Sequence, residues 1–325
     1  LQLQSFLIIL FIAFALDTAF GDPTWLPHPV RWIGRAITLL EPPLRRAARP
    51  LTATEQRGRG AAMAVVIAGG TYVATGLSLL IAHRLSGYLF YLLSVYIIWM
   101  SISARSLRVE ADSVISAMKA GDIESARKRL SRIVGRDTED LSAEEVYRAV
   151  AETVAENTSD GVVAPLFYLA IGGPALMLAY KAVNTLDSMV GYRNEKYRDF
   201  GRASARLDDG ANYVPARLTA MIMVAVSFFL GYDWRGAYDT VSRDGSNHSS
   251  PNAGFPEAAV AGATGVRFGG PVSYGNKAEI KPFIGDGPLE HSPGTVASAI
   301  RILTFSSVMA LMLTALARLI IYAAL

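Results

Sequence analysis

Cysteine is absent from the 325-residue chain, which excludes disulfides, thiolate metal sites and a cysteine nucleophile. Charge is scarce: Asp, Glu, Lys and Arg together make up 18% of the residues, against about 25% in an ordinary soluble domain. Histidine is scarcer still. His28, His83, His248 and His291 are scattered with no H-E-x-x-H or comparable spacing, which argues against a zinc site. No G-x-x-x-x-G-K-[ST] pattern occurs, so there is no P-loop. Net charge is only +3, and the basic residues do not interleave with aromatics, so nucleic acid is not an expected partner.

What is plentiful is apolar sequence, at 51% of the chain. Five runs, over 3–20, 61–82, 88–103, 211–231 and 302–325, are long enough to cross about 30 Å of hydrocarbon. The first has no basic residues before it and reads as a span rather than a cleaved leader. A sixth run, 162–180, is interrupted by Pro165 and by Gly172-Gly173-Pro174. It reads either as a kinked span or as two half-helices in a re-entrant hairpin, because irregular backbone at membrane depth survives only where protein or a cavity covers it. The 21–60 segment carries seven Arg against three acids, which places it in the cytoplasm. The loops at 181–212 and 232–298 cannot both obey that rule with these spans. Segment 104–161 reads as soluble helices, with apolar residues at helical spacing over 107–118 and 123–134 and a turn at Gly121-Asp122. Ser142 with Glu145 is a capping-box pattern that opens a third helix. No strand pattern stands out. The expected fold is therefore all-α: one polytopic integral membrane domain over 1–325. It would hold five to six membrane segments, one of them broken or re-entrant, with a soluble helical insertion at about 104–161 and a large polar loop at about 232–298.

Several polar groups stand where idle ones are costly. Glu152, Glu156 and Asp160 fall four apart and would share a helix face, where like charges repel unless a cation such as Mg²⁺ or a cationic substrate is present. Otherwise Ser159 or Asp160 caps the next helix. Lys181, Asn184, Asp187 and Ser188 line one helix face directly after an apolar run. Ionisable groups at that depth mark a site by default, although an interfacial helix with a snorkelling lysine has the same pattern. Asp208-Asp209 stands at the mouth of a span, suited either to Mg²⁺ bridging nucleotide phosphates or to capping a helix that begins near Ala211. A Ser/Asn/Gly-rich loop, 242–257, runs into a helix with Pro256 and Glu257 in its first turn. Arg243 and His248 lie beside it. That is the pattern of an anion cradle at a helix N-terminus, or of a flexible surface loop. His28 and Arg31 sit in a Pro- and Trp-rich turn whose Trp25 and Trp32 suit the membrane interface.

Five long stretches decide the matter: GDPTWLPHPVRWIG, ETVAENTSDGVVAPLFY, YKAVNTLDSMVGYRNEKYRDFG, ARLDDGANYVPARLTA and RDGSNHSSPNAGFPEAAVAGA, joined by the later KPFIG. In these motifs, their order and their spacing, the chain resembles the CbiB/CobD family of adenosylcobinamide(-phosphate) synthases nearly end to end. The resemblance implies a multi-pass cell-membrane enzyme of cobalamin biosynthesis. Its expected reaction is ATP-dependent amide ligation of cobyric acid with (R)-1-amino-2-propanol or its O-phosphate. ATP and Mg²⁺ are the implied cofactors. The implied partners are the corrinoid, the amine, membrane lipid, and either a second copy or other membrane-bound enzymes of the pathway. Roles on this reading are metal and phosphate electrostatics for Asp160, Asp187, Asp208 and Asp209, with Asp187 also catalytic, and amine deprotonation for Glu156 or His248. Substrate or phosphate binding would fall to His28, Arg31, Asn157, Lys181, Asn184, Arg193, Asn212, Arg217, Arg243, Asn252 and Glu257. A membrane transporter, or a non-catalytic sensor relative of the AmpE type, is the alternative. The absence of inverted-repeat symmetry and the concentration of polar motifs in loops argue against the transporter.

Overall fold

The computed structural model describes residues 3–47, 49–192, 194–275 and 277–324. Among these, six stretches are long and apolar enough to cross a membrane: Leu3–Phe20, Ala53–Leu85, Gly87–Lys119, Ala143–Val190, Arg202–Leu230 and Pro293–Ala324. The protein is a multi-pass, 74% helical membrane protein, as its apolar runs predict. In chain order the elements are α1 (Leu3–Phe20), α2 (Pro29–Arg45), α3 (Ala53–Leu85), α4 (Gly87–Trp99), α5 (Ala104–Lys119), α6 (Ile123–Leu130) and α7 (Ala143–Thr158). A π-helical turn (Ser159–Val163) follows, then α8 (Ala164–Val190), α9 (Arg202–Leu230), α10 (Trp234–Asp244), α11 (Gly254–Thr264), strands β1 (Phe268–Tyr274) and β2 (Lys277–Ile284), and α12 (Pro293–Ala324).

Two compact units form. The first comprises 1–103, 164–212 and 311–325; the second comprises 104–163 and 213–310. In the first, Ile33 and Ile37 of the amphipathic α2 pack with Met63 and Ile67 of α3, Leu178 and Leu186 of α8, and Phe200. Lipid tails are as apolar as these side chains, so close packing rather than escape from water holds such helices together. Outward-facing Val65, Leu80 and Ile81 are exposed accordingly. Ser86 closes α3 and caps α4, its hydroxyl accepting from the Tyr88 N–H. The second unit packs α5, α6 and α7 together and α10 on α11. The capping box expected at Ser142 and Glu145 is present and starts α7.

The hairpin β1–β2, antiparallel from Phe268 opposite Ile284 to Tyr274 opposite Lys277, is a departure from helix that the sequence does not announce. Glycine and proline break its alternation, and most of β2 is exposed. Asp137 pins its tip, accepting from the Ser273 hydroxyl and the Gly275 N–H.

The interruption in the sixth apolar run falls at Gly173, not at Pro165. Pro165 sits in the first turn of α8, where a missing N–H is tolerated. Gly173 has φ 70° and ψ −167°, outside the helical range, and divides α8 into two helical halves. The membrane-depth window of this segment is 67% buried, against 22% in α3; at the break itself Pro174 is buried, Gly173 half-buried and Gly172 exposed. Pro174 has no N–H to offer the carbonyl of Ala170 four residues back. That orphaned carbonyl accepts instead from the Arg318 guanidinium of α12 at 3.4 Å, and Arg318 also lies over the Phe6 ring. Arg318→Leu should therefore lose about 1–3 kcal/mol by stranding a carbonyl away from water, read as a lower unfolding temperature in detergent.

Candidate functional site

In the first unit, the C-terminal half of α8 presents Lys181, Asn184 and Asp187, and the start of α9 presents Asp208, Asp209 and Asn212. Asp208 is 9% exposed. One of its oxygens accepts from Asn184 Nδ2 at 3.4 Å and the other from Asn212 Nδ2 at 3.0 Å. Asn212 is held in turn by the Tyr180 hydroxyl at 2.8 Å. Tyr180 stacks on Tyr168 at 4.9 Å between ring centroids, and the Tyr168 hydroxyl donates to the Ala211 carbonyl. Asp187 and Asp209 lie near enough for their charges to act on Asp208. The helix-capping alternative for Asp208 and Asp209 does not hold: α9 begins at Arg202, so both are interior helical residues. Among the described residues no three His, Cys, Asp or Glu side chains are arranged to hold a metal ion by themselves.

The second unit builds a separate cluster. α7 buries Glu152, 2% exposed, in an ion pair with Arg136 at 2.5 Å. Its other oxygen accepts from the Gly269 N–H at 3.0 Å. Arg148, one turn earlier, donates to the carbonyls of Gly269 and Pro271. Gly269 has φ 87°, and a Cβ there would lie 2.1 Å from the Pro282 carbonyl oxygen, so only glycine allows this docking. The arginines thus take the role that the sequence left to Mg²⁺ or a cationic substrate at Glu152. Glu257, 2% exposed on α11, faces His248 with Oε1 3.9 Å from Nε2. Burial, then the charge of Glu152, pushes the Glu257 carboxyl well above the ordinary range, with Lys281 pulling the other way. Burial, then Lys281, holds the His248 imidazole down to about 4. Burial opposes the charge on Lys281, but Glu257 and Glu152 outweigh it and raise its ammonium above the usual lysine range.

The remaining sequence candidates are distributed. Glu156 is half-buried and near enough for its charge to act on Glu257. Asn157 donates back to the Thr153 carbonyl, and Asp160 falls in the π-helical turn. That turn departs from the α-helical repeat, so Asp160 does not simply continue the Glu152–Glu156 face. Arg217 lies between the Tyr213 and Phe255 rings, at 3.6 Å and 4.1 Å from their centroids, and reaches Asn252 Oδ1 at 3.5 Å. Arg243 is bound by Asp244 through two hydrogen bonds and by Asp286. Its two carboxylate partners make it a structural clasp rather than the open phosphate receptor expected. His28 caps α2 by accepting from the Val30 N–H, and the exposed Arg31 donates to the Thr24 carbonyl. The 242–257 segment is not a flexible surface loop: Asn252, Ala253 and Gly254 are buried. Arg193 lies outside the described residues.

A sequence family described as CobD/Cbib protein matches residues 10–303. The chain belongs to that family. It is 46% identical over 309 residues to the cobalamin biosynthesis protein CobD of Pelobacter propionicus, covering 95% of this chain and 94% of the relative. It is 51% identical over 283 residues to CobD of Geobacter metallireducens, 86% of each. Identity to the cobalamin biosynthesis protein CbiB of Salmonella typhi is 46% over 309 residues, 94% of this chain and 96% of the relative. No solved structure matches.

Within this CobD/CbiB chain, sequence reasoning passed over Arg136, Arg148, Tyr168 and Tyr180, and gave Lys281 no role beyond its place in KPFIG. Nothing local marks Arg136, because its partner lies 16 residues away across a turn. Arg136→Met should cost about 3–5 kcal/mol by leaving Glu152 buried beside one cation fewer. The double variant with Glu152→Gln should unfold at a higher temperature than Arg136→Met alone; equal stability would show that the pair is not coupled.

Proposed function

We propose that this protein of cobalamin biosynthesis is an ATP-dependent ligase that joins a side-chain carboxylate of cobyric acid to (R)-1-amino-2-propanol or its O-phosphate. The observation that carries this reading is membership of the CobD/CbiB family over residues 10–303, with relatives named as cobalamin biosynthesis proteins. A carboxylate does not lose oxide to an amine. Its oxygen must first attack the γ-phosphorus of ATP, releasing ADP and leaving an acyl phosphate. The amine nitrogen then attacks the acyl carbon, inorganic phosphate departs, and the nitrogen gives up a proton.

The polar inventory suits those demands. Asp187, Asp208 and Asp209 offer the hard oxygen ligands Mg²⁺ prefers, and the ion needs only one or two carboxylates beside phosphate oxygens and water. When bound, Mg²⁺ would neutralise charge on the transferring phosphoryl group. Asn184 and Asn212 keep Asp208 oriented for this. Lys181 supplies positive charge on the same helix face for phosphate. Arg217, boxed by two rings and reaching Asn252, suits a substrate anion or amide. His248, with its imidazole held down to about 4, is a weak base for the amine proton, and Glu156 is the other candidate for that transfer. The broken α8 is the one feature favouring a transporter, since such breaks line substrate paths.

Purified protein supplied with cobyric acid, ATP, Mg²⁺ and each amine in turn should yield cobinamide or its phosphate by mass spectrometry. Full product without nucleotide would overturn the acyl-phosphate route. Corrinoid uptake into proteoliposomes without product would favour the transporter. Asp208→Asn should lower kcat by at least about tenfold, about 1.4 kcal/mol, with little change in cobyric acid binding. A stable and fully active Asp208→Asn protein would exclude the metal role.

A further inference from the structure

Three polar groups in the second unit converge without partners. Glu257 Oε1 and His248 Nε2 are buried and make no hydrogen bond, 3.9 Å apart, with side chains 2% and 7% exposed. Lys281, half-buried on β2, makes no hydrogen bond or ion pair among the described residues, yet its charge acts on both Glu257 and His248. Stranded buried polar atoms are costly and call for an explanation.

Each of the three is a donor. The Ser250 N–H donates to His248 Nδ1 at 3.0 Å, so the neutral ring carries its proton on Nε2. Burial, then the Glu152 charge, favours the protonated form of the Glu257 carboxyl. Lys281 brings an ammonium that feels Glu257 first and then Glu152, which is already compensated by Arg136. An imidazole N–H, a carboxylic O–H and an ammonium leave an acceptor as the missing component, and a negative one suits the ammonium, which has no hydrogen bond of its own among the described residues.

The positions of these groups are built, not accidental. Arg148 and Glu152 hold the first residues of β1 through three hydrogen bonds. The register places Gly270 opposite Lys281, and Lys281 is flanked on β2 by the exposed Ile280 and Pro282. The hairpin thus delivers one cation to a cluster assembled by α7, α11 and the 245–253 turn. An oxygen placed between His248 Nε2 and Glu257 Oε1 would bond both at ordinary distances, since 3.9 Å is less than twice a hydrogen-bond length of about 2.8 Å.

We propose that Lys281, His248 and Glu257 form an oxyanion-binding site for a phosphate monoester or carboxylate group. This goes beyond the ligase reading, because anion binding is measured without nucleotide, corrinoid or amine. The test is thermal unfolding of the detergent-purified protein at constant ionic strength, with chloride replaced stepwise by inorganic phosphate or by acetate. Saturable stabilisation of the wild type is expected, with the apparent affinity at least tenfold weaker in Lys281→Met and in His248→Phe and largely kept in Lys281→Arg. Stabilisation by phosphate alone assigns a phosphoryl group, by acetate alone a carboxylate, and by both the shared oxyanion chemistry. No stabilisation beyond chloride, or wild-type affinity in whichever of Lys281→Met and His248→Phe folds, overturns the site.

Discussion

The second unit depends on a carboxylate in the wrong solvent. Glu152 has 2% of its side chain exposed, and isolated charge is expensive there. It is tolerated because Arg136 pairs with one oxygen and the Gly269 N–H reaches the other. Those same bonds tie α7 to the base of the hairpin, so a single electrostatic requirement also sets where β1 begins. The Glu152 charge also reaches Glu257, where it adds to burial in pushing that carboxyl above the ordinary range.

The first unit solves a different problem, a helix broken at membrane depth. Once Gly173 and Pro174 interrupt α8, a carbonyl must be satisfied without water, and a basic side chain from α12 supplies the donor. Beyond the break, α8 carries Lys181, Asn184 and Asp187 toward the aspartates of α9. Ionisable groups are tolerated in such a place when they engage one another, and Asp208, with an amide on each oxygen, does so.

Much of this was legible from residue order. Apolar runs located the membrane segments, and Gly172-Gly173-Pro174 located the break, because both depend on local composition and backbone chemistry. That Asp187 and Asp209 act on Asp208 is an effect of tertiary packing between α8 and α9, which the sequence raised only through the demand of a phosphate-bound Mg²⁺ for carboxylates from separate segments. The hairpin was not legible, because glycines at positive φ and an exposed second strand erase the alternation by which strands are recognised. Arg243 misled for a related reason: its sequence neighbourhood suggested an anion site, but Asp286, 43 residues on, folds back to bind it.

By itself, the sequence determined the membrane class, the helix start at Ser142, the interruption of α8 and the family, all readable from nearest neighbours or whole motifs. Only the tertiary structure decided which charges are paired. It set Arg136 against Glu152, Arg318 against the Ala170 carbonyl, and left His248, Glu257 and Lys281 facing one another. The reason is physical: a buried charge is defined by partners remote in sequence, and no local pattern encodes the folding that brings them together.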